Sequence, residues 1–160
     1  MALGDNTLRS AAGNSQRGRN PYMVQTTLNW ATALSDKGGA LAASDVVPVI
    51  AVPKGTMVLN AGIEVDTQTD GSTFTVDLGM VDPDVFVDGF DATSAAGVVA
   101  QNPAVYQPVM AVADDNIDVT IASLSGGAVS SGKFRIWAVL MDCTDMGDTA
   151  ADEVDRDALA

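Results

Sequence analysis

The stretch that decides the fold of this chain reads KFRIWAVLMDC, from Lys133 to Cys143. Its side chains alternate with the period of two residues that is typical of a β-strand, in which neighbouring side chains point to opposite faces. One face would be entirely apolar and is expected to line a core: Phe134, Ile136, Ala138 and Leu140. The opposite face would carry Arg135, Trp137, Val139 and Met141.

The second face of this strand is unusually apolar for a surface in contact with water. Trp137 and Val139 place a large aromatic and a branched side chain side by side on it, and contiguous exposed apolar area marks interaction sites. We therefore expect this face to be covered as well, by a partner subunit or by the N-terminal part of the chain. Trp137 and Val139 are accordingly the candidate subunit interface.

Seven further runs of β-type residues precede this strand, separated by clusters of Gly, Asp, Asn and Pro. Turn signals every ~8–12 residues are typical of a β-sandwich or a β-barrel, and the alternation alone does not distinguish the two. The sequence thus predicts an all-β, antiparallel fold of about eight strands. The expected strands span residues 22–33, 46–52, 56–67, 73–78, 85–90, 105–112, 117–122 and 133–143.

Several residues refine these strands. The first expected strand continues through Trp30, on the same face as Leu28. Pro48 interrupts a continuously apolar run, which would be covered on both faces, and indicates a sheet edge or a bulge. Gly62 predicts a bend or bulge in the strand over 56–67. Asp70-Gly71 predicts a hairpin that joins this strand to the next one. Residues 92–100 are expected to be a loop or a single helical turn.

The two ends of the chain differ from its middle. Residues 1–21 are rich in Gly, Ser, Asn and Arg, and we expect an extended N-terminal arm there. Residues 22–143 are the expected β-sandwich domain, and residues 144–160 an acidic C-terminal tail with a candidate short helix over 152–159. The basic side chains of the arm are Arg9, Arg17 and Arg19; they favour docking on an acidic partner, and the alternative is a polar tail with no partner.

The charge of the chain is strongly uneven. Residues 1–37 carry four basic and two acidic side chains, whereas residues 38–160 carry four basic and nineteen acidic ones. Such an acidic body repels nucleic acid and anionic membranes. We therefore expect no direct nucleic-acid partner and no membrane partner. No run approaches the ~20 apolar residues of a membrane span, and the first residues do not resemble a signal peptide.

The composition of the chain excludes most of the common catalytic mechanisms. The chain has no His, which excludes Ser-His-Asp and Cys-His catalysis and zinc sites that need His. Cys143 is the single cysteine, so no intramolecular disulfide can form, and its position at the end of a strand predicts a packed structural thiol. We expect no catalytic residue, no cofactor and no enzyme activity.

The acidic turns make calcium the one metal that the sequence requires us to consider. The run Asp114 to Asp118 begins like an EF-hand loop, but the sixth position is Val119 and the twelfth is Ser125, where Gly and Glu are required. An EF-hand is therefore excluded. A looser Ca²⁺ site at Asp82 and Asp84, or at Asp114 and Asp118, stays open beside the simpler interpretation that these are solvated turn residues.

Four segments of the chain carry a family resemblance. They read VPKGTMVLNAGIEV over 52–65, GSTFTVDLG over 71–79, DVFVDGFD over 84–91 and GKFRIWAVLMD over 132–142. Their style and order resemble small virion structural proteins of tailed bacteriophages, including marine and cyanobacterial ones, across about residues 23–143. The resemblance implies a jelly-roll-like sandwich that decorates or cements a capsid, often as a homotrimer at three-fold positions.

The resemblance therefore predicts a non-enzymatic capsid decoration protein whose partner is the major capsid protein. Its place would be the capsid exterior, after assembly in the host cytoplasm. Arg9, Arg17 and Arg19 would contact the capsid, and Trp137 and Val139 a neighbouring copy. Two alternatives stay open from the sequence: a neck, tail or fibre-base component of the virion, and a carbohydrate- or calcium-binding β-sandwich module.

Overall fold

A computed structural model describes residues 20–101, 108–125 and 129–143. These residues form one helix and nine strands. The elements are β1 (Tyr22–Asn29), α1 (Trp30–Lys37), β2 (Val46–Val52), β3 (Thr56–Thr67), β4 (Thr73–Gly79), β5 (Val87–Asp91), β6 (Val99–Gln101), β7 (Val109–Met110), β8 (Asp115–Ser125) and β9 (Lys133–Asp142).

The strands form two antiparallel sheets that pack face to face. Sheet A has the order β1-β9-β3-β6, with β7 also paired to β3, and sheet B has the order β2-β8-β4-β5. The pairs are nested along the chain: β4 with β5, β3 with β6 and β7, β2 with β8, and β1 with β9. Successive pairs alternate between the sheets, as in a ribbon wrapped around a core, which is the jelly-roll arrangement. The predicted jelly-roll-like sandwich is confirmed.

The core lies between the inner faces of the two sheets. The face of β9 that the sequence assigned to the core is buried at all four positions, and so are Ile117, Val119 and Ile121 of β8. The ring of Trp30 stands edge-on to those of Phe74 (4.8 Å between centroids) and Phe134 (5.5 Å), a favourable arrangement for aromatic pairs. Burial of these rings joins sheet A to sheet B at one end of the sandwich.

Trp30 does not continue the first strand, as the sequence predicted, but begins helix α1. Pairing with β9 ends at Asn29, whose side chain caps the helix by accepting a hydrogen bond from the Ala31 N–H at 3.0 Å. Gly38 ends the helix with φ 68°, a left-handed conformation that suits glycine. The strand interpretation was wrong for residues 30–33, where the Asn29 cap and the buried indole of Trp30 hold a helix in place of four more residues of sheet pairing.

The predicted hairpin at Asp70-Gly71 is also wrong, since β3 belongs to sheet A and β4 to sheet B. These residues form a corner that crosses between the sheets. The carboxylate of Asp70 accepts hydrogen bonds from the backbone N–H of Ser130 and Ser131 and from the Ser130 hydroxyl. These donors, first among them the hydroxyl, lower the pKa of Asp70 to about 2. The corner is thus fixed to the loop that precedes β9.

The two predicted strand irregularities have different outcomes. Pro48 lies on an edge strand, and the register of β2 shifts between Pro48 and Ile50, as expected. However, β2 is not covered on both faces, because Val46 is 54% exposed. The bulge expected at Gly62 is absent: Gly62 pairs regularly with Trp137, and the shifts in β3 lie at 58–60 and 65–67.

The remaining strands differ from the prediction mainly in length. Strand β8 is longer than the expected 117–122, and β5 begins two residues later than expected. The stretch 92–100, predicted as a loop or helical turn, contains the start of β6. Within the expected strand over 105–112, the described part contains only the short β7. The N-terminal arm with Arg9, Arg17 and Arg19, and the tail with its candidate helix, lie outside the described residues and stay predictions.

Candidate interaction surfaces

The outward face of sheet A holds the two residues that the sequence assigned to a subunit interface. Trp137 and Val139 alternate along β9 with the buried Ala138 and Leu140, so they point away from the core and are half-buried. Because β9 lies between β1 and β3, these two side chains stand near the middle of the face. The structure therefore places both residues together and on the expected side.

Methionines from four different strands lie on the same outward face, next to Val139, although the cross-strand neighbours Gln25 of Trp137 and Asn60 of Val139 are polar. Met57 of β3 pairs with Met141 on β9 and with Met110 on β7. Met23 of β1 pairs with Val139 on β9. Residues paired in this way share a face and pack against one another. Met23 is 63% exposed, and Met110 is also exposed. We call the six residues the apolar face: Met23, Met57, Met110, Trp137, Val139 and Met141.

The indole of Trp137 lies directly over Gly62 of the neighbouring strand. A Cβ atom at position 62 would stand 2.5 Å from Trp137 Cζ2 and 2.9 Å from the Ala100 carbonyl oxygen, both closer than contact allows. Glycine is therefore required at this point for the ring to lie flat on the sheet. This packing against the neighbouring strand explains why Trp137 is half-buried within a single copy of the chain.

The opposite end of the same outward face is charged. Arg135 donates to Glu64 at 2.9 Å and lies 3.4 Å from Asp66, both on β3. Arg135 and Glu64 are direct cross-strand partners, so the pair is held by the sheet register. The outward face of sheet A thus changes along the strands from an ion-pair network to the apolar face.

The outward face of sheet B is polar and carries several acidic residues. Thr75 and Ser123 share a 2.7 Å hydrogen bond, and the Asp77 carboxylate accepts from the Gly89 N–H at 2.7 Å. Burial of its carboxylate, with a smaller contribution from the nearby charge of Asp115, raises the pKa of Asp118. This face has the composition of a solvated surface.

An open cleft of about 350 Å³ lies at one end of the sandwich, between residues 80–85 and 109–115. Its floor is apolar, with Met80 and Ala111 buried beneath it. Met110 borders the cleft and also belongs to the apolar face, so the two surfaces are continuous. The sequence analysis did not identify the cleft. Its walls are far apart in the chain, and only the fold brings them together.

Acidic residues at the cleft bear on the calcium question. Asp82 and Asp84 lie close together, and the hydrogen bond and negative charge of Asp84 raise the pKa of Asp82. Among the described residues, no group of three or more Asp, Glu, Cys or His side chains is placed to hold a metal ion. Ca²⁺ takes 6–8 oxygen ligands, so neither pair considered from the sequence supplies a site by itself.

The single cysteine of the chain makes local contacts through both its backbone and its thiol. Cys143 follows directly on β9 and is half-buried; its N–H donates to the Gly55 carbonyl at 2.8 Å, and its thiol lies 3.6 Å from the Met141 carbonyl oxygen. This agrees with a structural role.

Over the residues that the structure describes, no helix is both long and apolar enough to cross a membrane.

Comparison with known proteins gives matches only at the level of structure. No family model and no curated protein matches the chain. A chain of the cyanophage Pam1 capsid asymmetric unit superposes with a TM-score of 0.60 at 16% identity, covering 88% of this chain and 97% of that one. A chain of the Ralstonia phage GP4 capsid gives 0.58 at 17% identity, covering 86% and 93%.

A chain of the acid-stable capsid of Helicobacter pylori bacteriophage KHP30 gives a TM-score of 0.52 at 14% identity, covering 76% of this chain and 86% of that one. At such identities the likeness is one of fold, and it extends over nearly whole chains. The resemblance to phage virion proteins that the sequence suggested is confirmed as this shared fold: the chain has the jelly-roll of chains found in phage capsids.

Proposed function

We propose that this chain is a structural protein of a bacteriophage particle that covers the capsid exterior as a decoration or cement protein bound to the major capsid protein. The observation that carries the proposal is the apolar face. It is a methionine-rich, outward surface on a jelly-roll whose opposite outward face is polar. The shared fold with chains of three phage capsids supports the same conclusion.

The apolar face is the proposed contact between copies, with Trp137 and Val139 at its centre. The described residues include four basic and fourteen acidic side chains, so two bodies repel each other at most orientations. The apolar face contains no charged side chain, and contact through it avoids this repulsion while burying apolar area. A closed homotrimer is the assembly that we propose: the resemblance to capsid decoration proteins implies it, and closed symmetry leaves no unpaired copy of the face.

The N-terminal arm, residues 1–21, is the proposed attachment to other subunits of the particle, chiefly the major capsid protein. Arg9, Arg17 and Arg19 supply cationic contacts that the acidic body lacks. Strand β1 begins at Tyr22 on an edge of sheet A, so the arm leaves the body at its periphery. Deletion of residues 1–20 is expected to weaken attachment and to leave the body folded. Full attachment without the arm would contradict this role.

The proposed mechanism is mechanical and involves no catalysis. A protein that bridges neighbouring capsid subunits adds buried area that must be separated before the shell can open. The added interface would therefore raise the resistance of the shell to the pressure of packaged DNA. A host cytoplasm suits assembly, since the fold needs no disulfide.

Quantitative mass spectrometry of purified particles of the encoding phage tests the proposal. It measures copies of this chain per copy of the major capsid protein. A ratio near one establishes a layer that covers the shell. A dozen copies or fewer per particle would assign the chain to the neck or tail, and absence from the particle would overturn a structural role in the virion.

A further inference from the structure

The cleft between residues 80–85 and 109–115 has no role in the contacts proposed so far. Val81 and Val112 stand on its two walls, and they are the most exposed large apolar side chains of the described residues, at 88% and 80%. Met80 and Ala111 are buried beneath them and make the floor apolar. Concave apolar area of this kind is typical of a binding site, because covering it removes apolar surface from water.

Strand β7 gives the cleft a free sheet edge. Within the described part of the chain β7 pairs with β3 alone, and the cleft is lined by β7 and not by β3. The Ala111 N–H donates to the Thr56 carbonyl at 2.9 Å. Residues that bond to the paired strand alternate along an antiparallel strand, so the N–H and carbonyl of Met110 point to the unpaired side. An added extended strand uses such groups for backbone hydrogen bonds.

The rim of the cleft is acidic, and no cation compensates it among the described residues. Asp82, Asp114 and Asp115 line the cleft, and Asp84 lies beside Asp82. Asp114 accepts from the backbone N–H of Lys54 at 2.9 Å, a neutral donor that leaves its charge in place. Within the described ranges, none of the ion pairs involves these four carboxylates. The hydrogen bond and the negative charge of Asp84 raise the pKa of Asp82, as expected of two carboxylates without a cation between them.

These three features together specify the chemistry of an occupant. The apolar floor suits apolar side chains, the acidic rim suits lysine or arginine, and the free edge suits an extended backbone. Side chains of an extended segment point alternately to opposite sides. One set can therefore lie on the floor while the other set reaches the rim.

The ends of this chain do not have that chemistry. Residues 144–160 carry six acidic side chains and one basic side chain, so the acidic rim repels them. Residues 1–19 are mostly polar, and Asp5 lies between their two leucines, Leu3 and Leu8. The matching segment therefore belongs to a different protein.

We infer that the cleft binds an extended segment of a partner protein in which apolar residues alternate with lysine or arginine. The segment pairs with the free edge of β7 and places its apolar side chains between Val81 and Val112. Its basic side chains lie against Asp82 and Asp114. The inference goes beyond the proposed function and does not depend on it, because it concerns the chemistry of the cleft and not the place of the chain in a particle.

Selection of random heptapeptides on the immobilised full chain tests the inference. The enriched peptides are expected to carry net positive charge and to alternate apolar with basic residues. One enriched peptide, labelled with a fluorophore, then gives dissociation constants by fluorescence anisotropy. No enrichment, or enrichment of peptides without an excess of basic residues, would overturn the inference.

Substitutions on exposed valines locate the bound peptide. Val112→Arg adds a like charge to one wall of the cleft and should raise the Kd of the peptide by at least about tenfold. The matched control is Val46→Arg, since Val46 is also exposed but lies at the end of β2 away from the cleft; it should change the Kd by less than about twofold. Equal effects of the two variants would show that the peptide binds elsewhere.

The charge of the rim is tested by Asp114→Asn, which keeps an acceptor for the Lys54 N–H but removes one negative charge. It should raise the Kd by about threefold at low salt and by less at high salt, where charges are screened. Asp36→Asn removes the same charge from an exposed position of helix α1 and is the control. An equal change in both variants would contradict a role of the rim.

Backbone methylation of the same peptide tests its pairing with β7. Methyl groups on alternate N–H groups block one edge of an extended peptide and leave the other edge free. Methylation of one set should abolish binding, and methylation of the other should change the Kd by less than about twofold. Equal binding of the two methylated peptides would contradict the pairing.

Self-association of Val112→Arg distinguishes a partner protein from a second copy of this chain. Sedimentation equilibrium is expected to give the same association constant as for the unaltered chain. A loss as large as that of an apolar-face variant would assign the cleft to a neighbouring copy and overturn the inference. None of these results depends on the copies per particle, which decide the proposed function separately.

Discussion

The outward faces of the two sheets belong to one sandwich but have opposite chemistry. Sheet A presents methionines, Trp137 and Val139, whereas sheet B presents mainly hydroxyls and carboxylates, several of which bond to their own neighbours, as Thr75 does with Ser123; Val46 on its edge strand β2 is also exposed. Polar groups that are already satisfied gain little from a partner, while exposed apolar groups gain by burial. The difference supports the proposal that contacts with other subunits form on the outward face of sheet A.

Each outward face also contains one glycine that is covered by the chain itself. Gly62 on sheet A lies under the edge of the Trp137 ring, and Gly79 on sheet B lies under the backbone of residues 82–83. At position 79 the three nearest neighbours of a Cβ atom would all be backbone atoms, at 2.1–2.5 Å, whereas at position 62 the two nearest belong to the Trp137 ring and the Ala100 carbonyl oxygen follows at 2.9 Å. A side-chain ring shifts more readily than a backbone segment, so the clash at position 79 is the harder one to relieve. The loop over Gly79 is also one wall of the cleft, so this glycine connects the polar face to the cleft.

The largest effect is expected from Gly79→Ala. A Cβ atom there would overlap the backbone of Asp82 and Pro83, so the substitution should lower the free energy of unfolding by about 3 kcal/mol; Gly62→Ala, opposed by a ring, should cost about 1–2 kcal/mol. Urea unfolding measures both. Gly39→Ala, where nothing lies within 4 Å, is the control and should change stability by less than about 1 kcal/mol. A Gly79→Ala variant no less stable than Gly62→Ala would refute the distinction.

If the two outward faces differ as proposed, an added positive charge should weaken self-association on sheet A but not on sheet B. Val139→Lys should weaken self-association by about 30-fold or more, the scale of a central interface residue. Thr73→Lys, which adds the same charge to an exposed position of β4 in sheet B, should change it less than about twofold. Sedimentation equilibrium gives both constants. Equal losses would mean that net charge, and not the apolar face, controls assembly.

At the corner between the sheets, Asp70→Asn should lower the free energy of unfolding at pH 7 by about 1 kcal/mol, since a charged acceptor of three donors is lost from an exposed site. The folded-state pKa, about 2, lies below the ordinary 3.8. The stabilisation is therefore complete above pH 3.8 and disappears as the pH falls toward 2. The free energy of unfolding, measured across this pH range, checks the direction of the pH dependence. Asp36→Asn on the surface of the helix is the control.

The smallest effect is expected from Asp118→Asn on sheet B, and its sign is opposite. Burial raises the pKa of Asp118 above 3.8, so the ionised form opposes folding at pH 7 and this cost vanishes as the pH falls below the folded-state pKa. The substitution should stabilise the protein by less than about 1 kcal/mol at pH 7 and have no effect at pH 3. Destabilisation at pH 7 would show that the carboxylate has a favourable partner.

Part of the candidate site could be predicted from local pattern. The outward direction of Trp137 and Val139 followed from alternation along β9, and the apolar excess on that face already indicated a cover. Met141 stood on the same predicted face, and Met57 alternates with Val58, so a count of outward methionines would have extended the site. The cleft gave no such signal, because its two walls come from loops that are neighbours only after the sheets have packed.

Local pattern was sufficient to predict most of the strands and the side chains that face inward, with residues 30–33 and 99–101 as exceptions, because alternation is a steric property of each strand and needs no partner. The sequence by itself also determined the acidic body and the absence of histidine chemistry. The entry of Trp30 into the core on a helix, the corner at Asp70 and the gathering of methionines from four strands on one face could not be predicted in this way. These depend on which strands pair, and pairing is settled by burying the whole core at once, which no local stretch of sequence encodes.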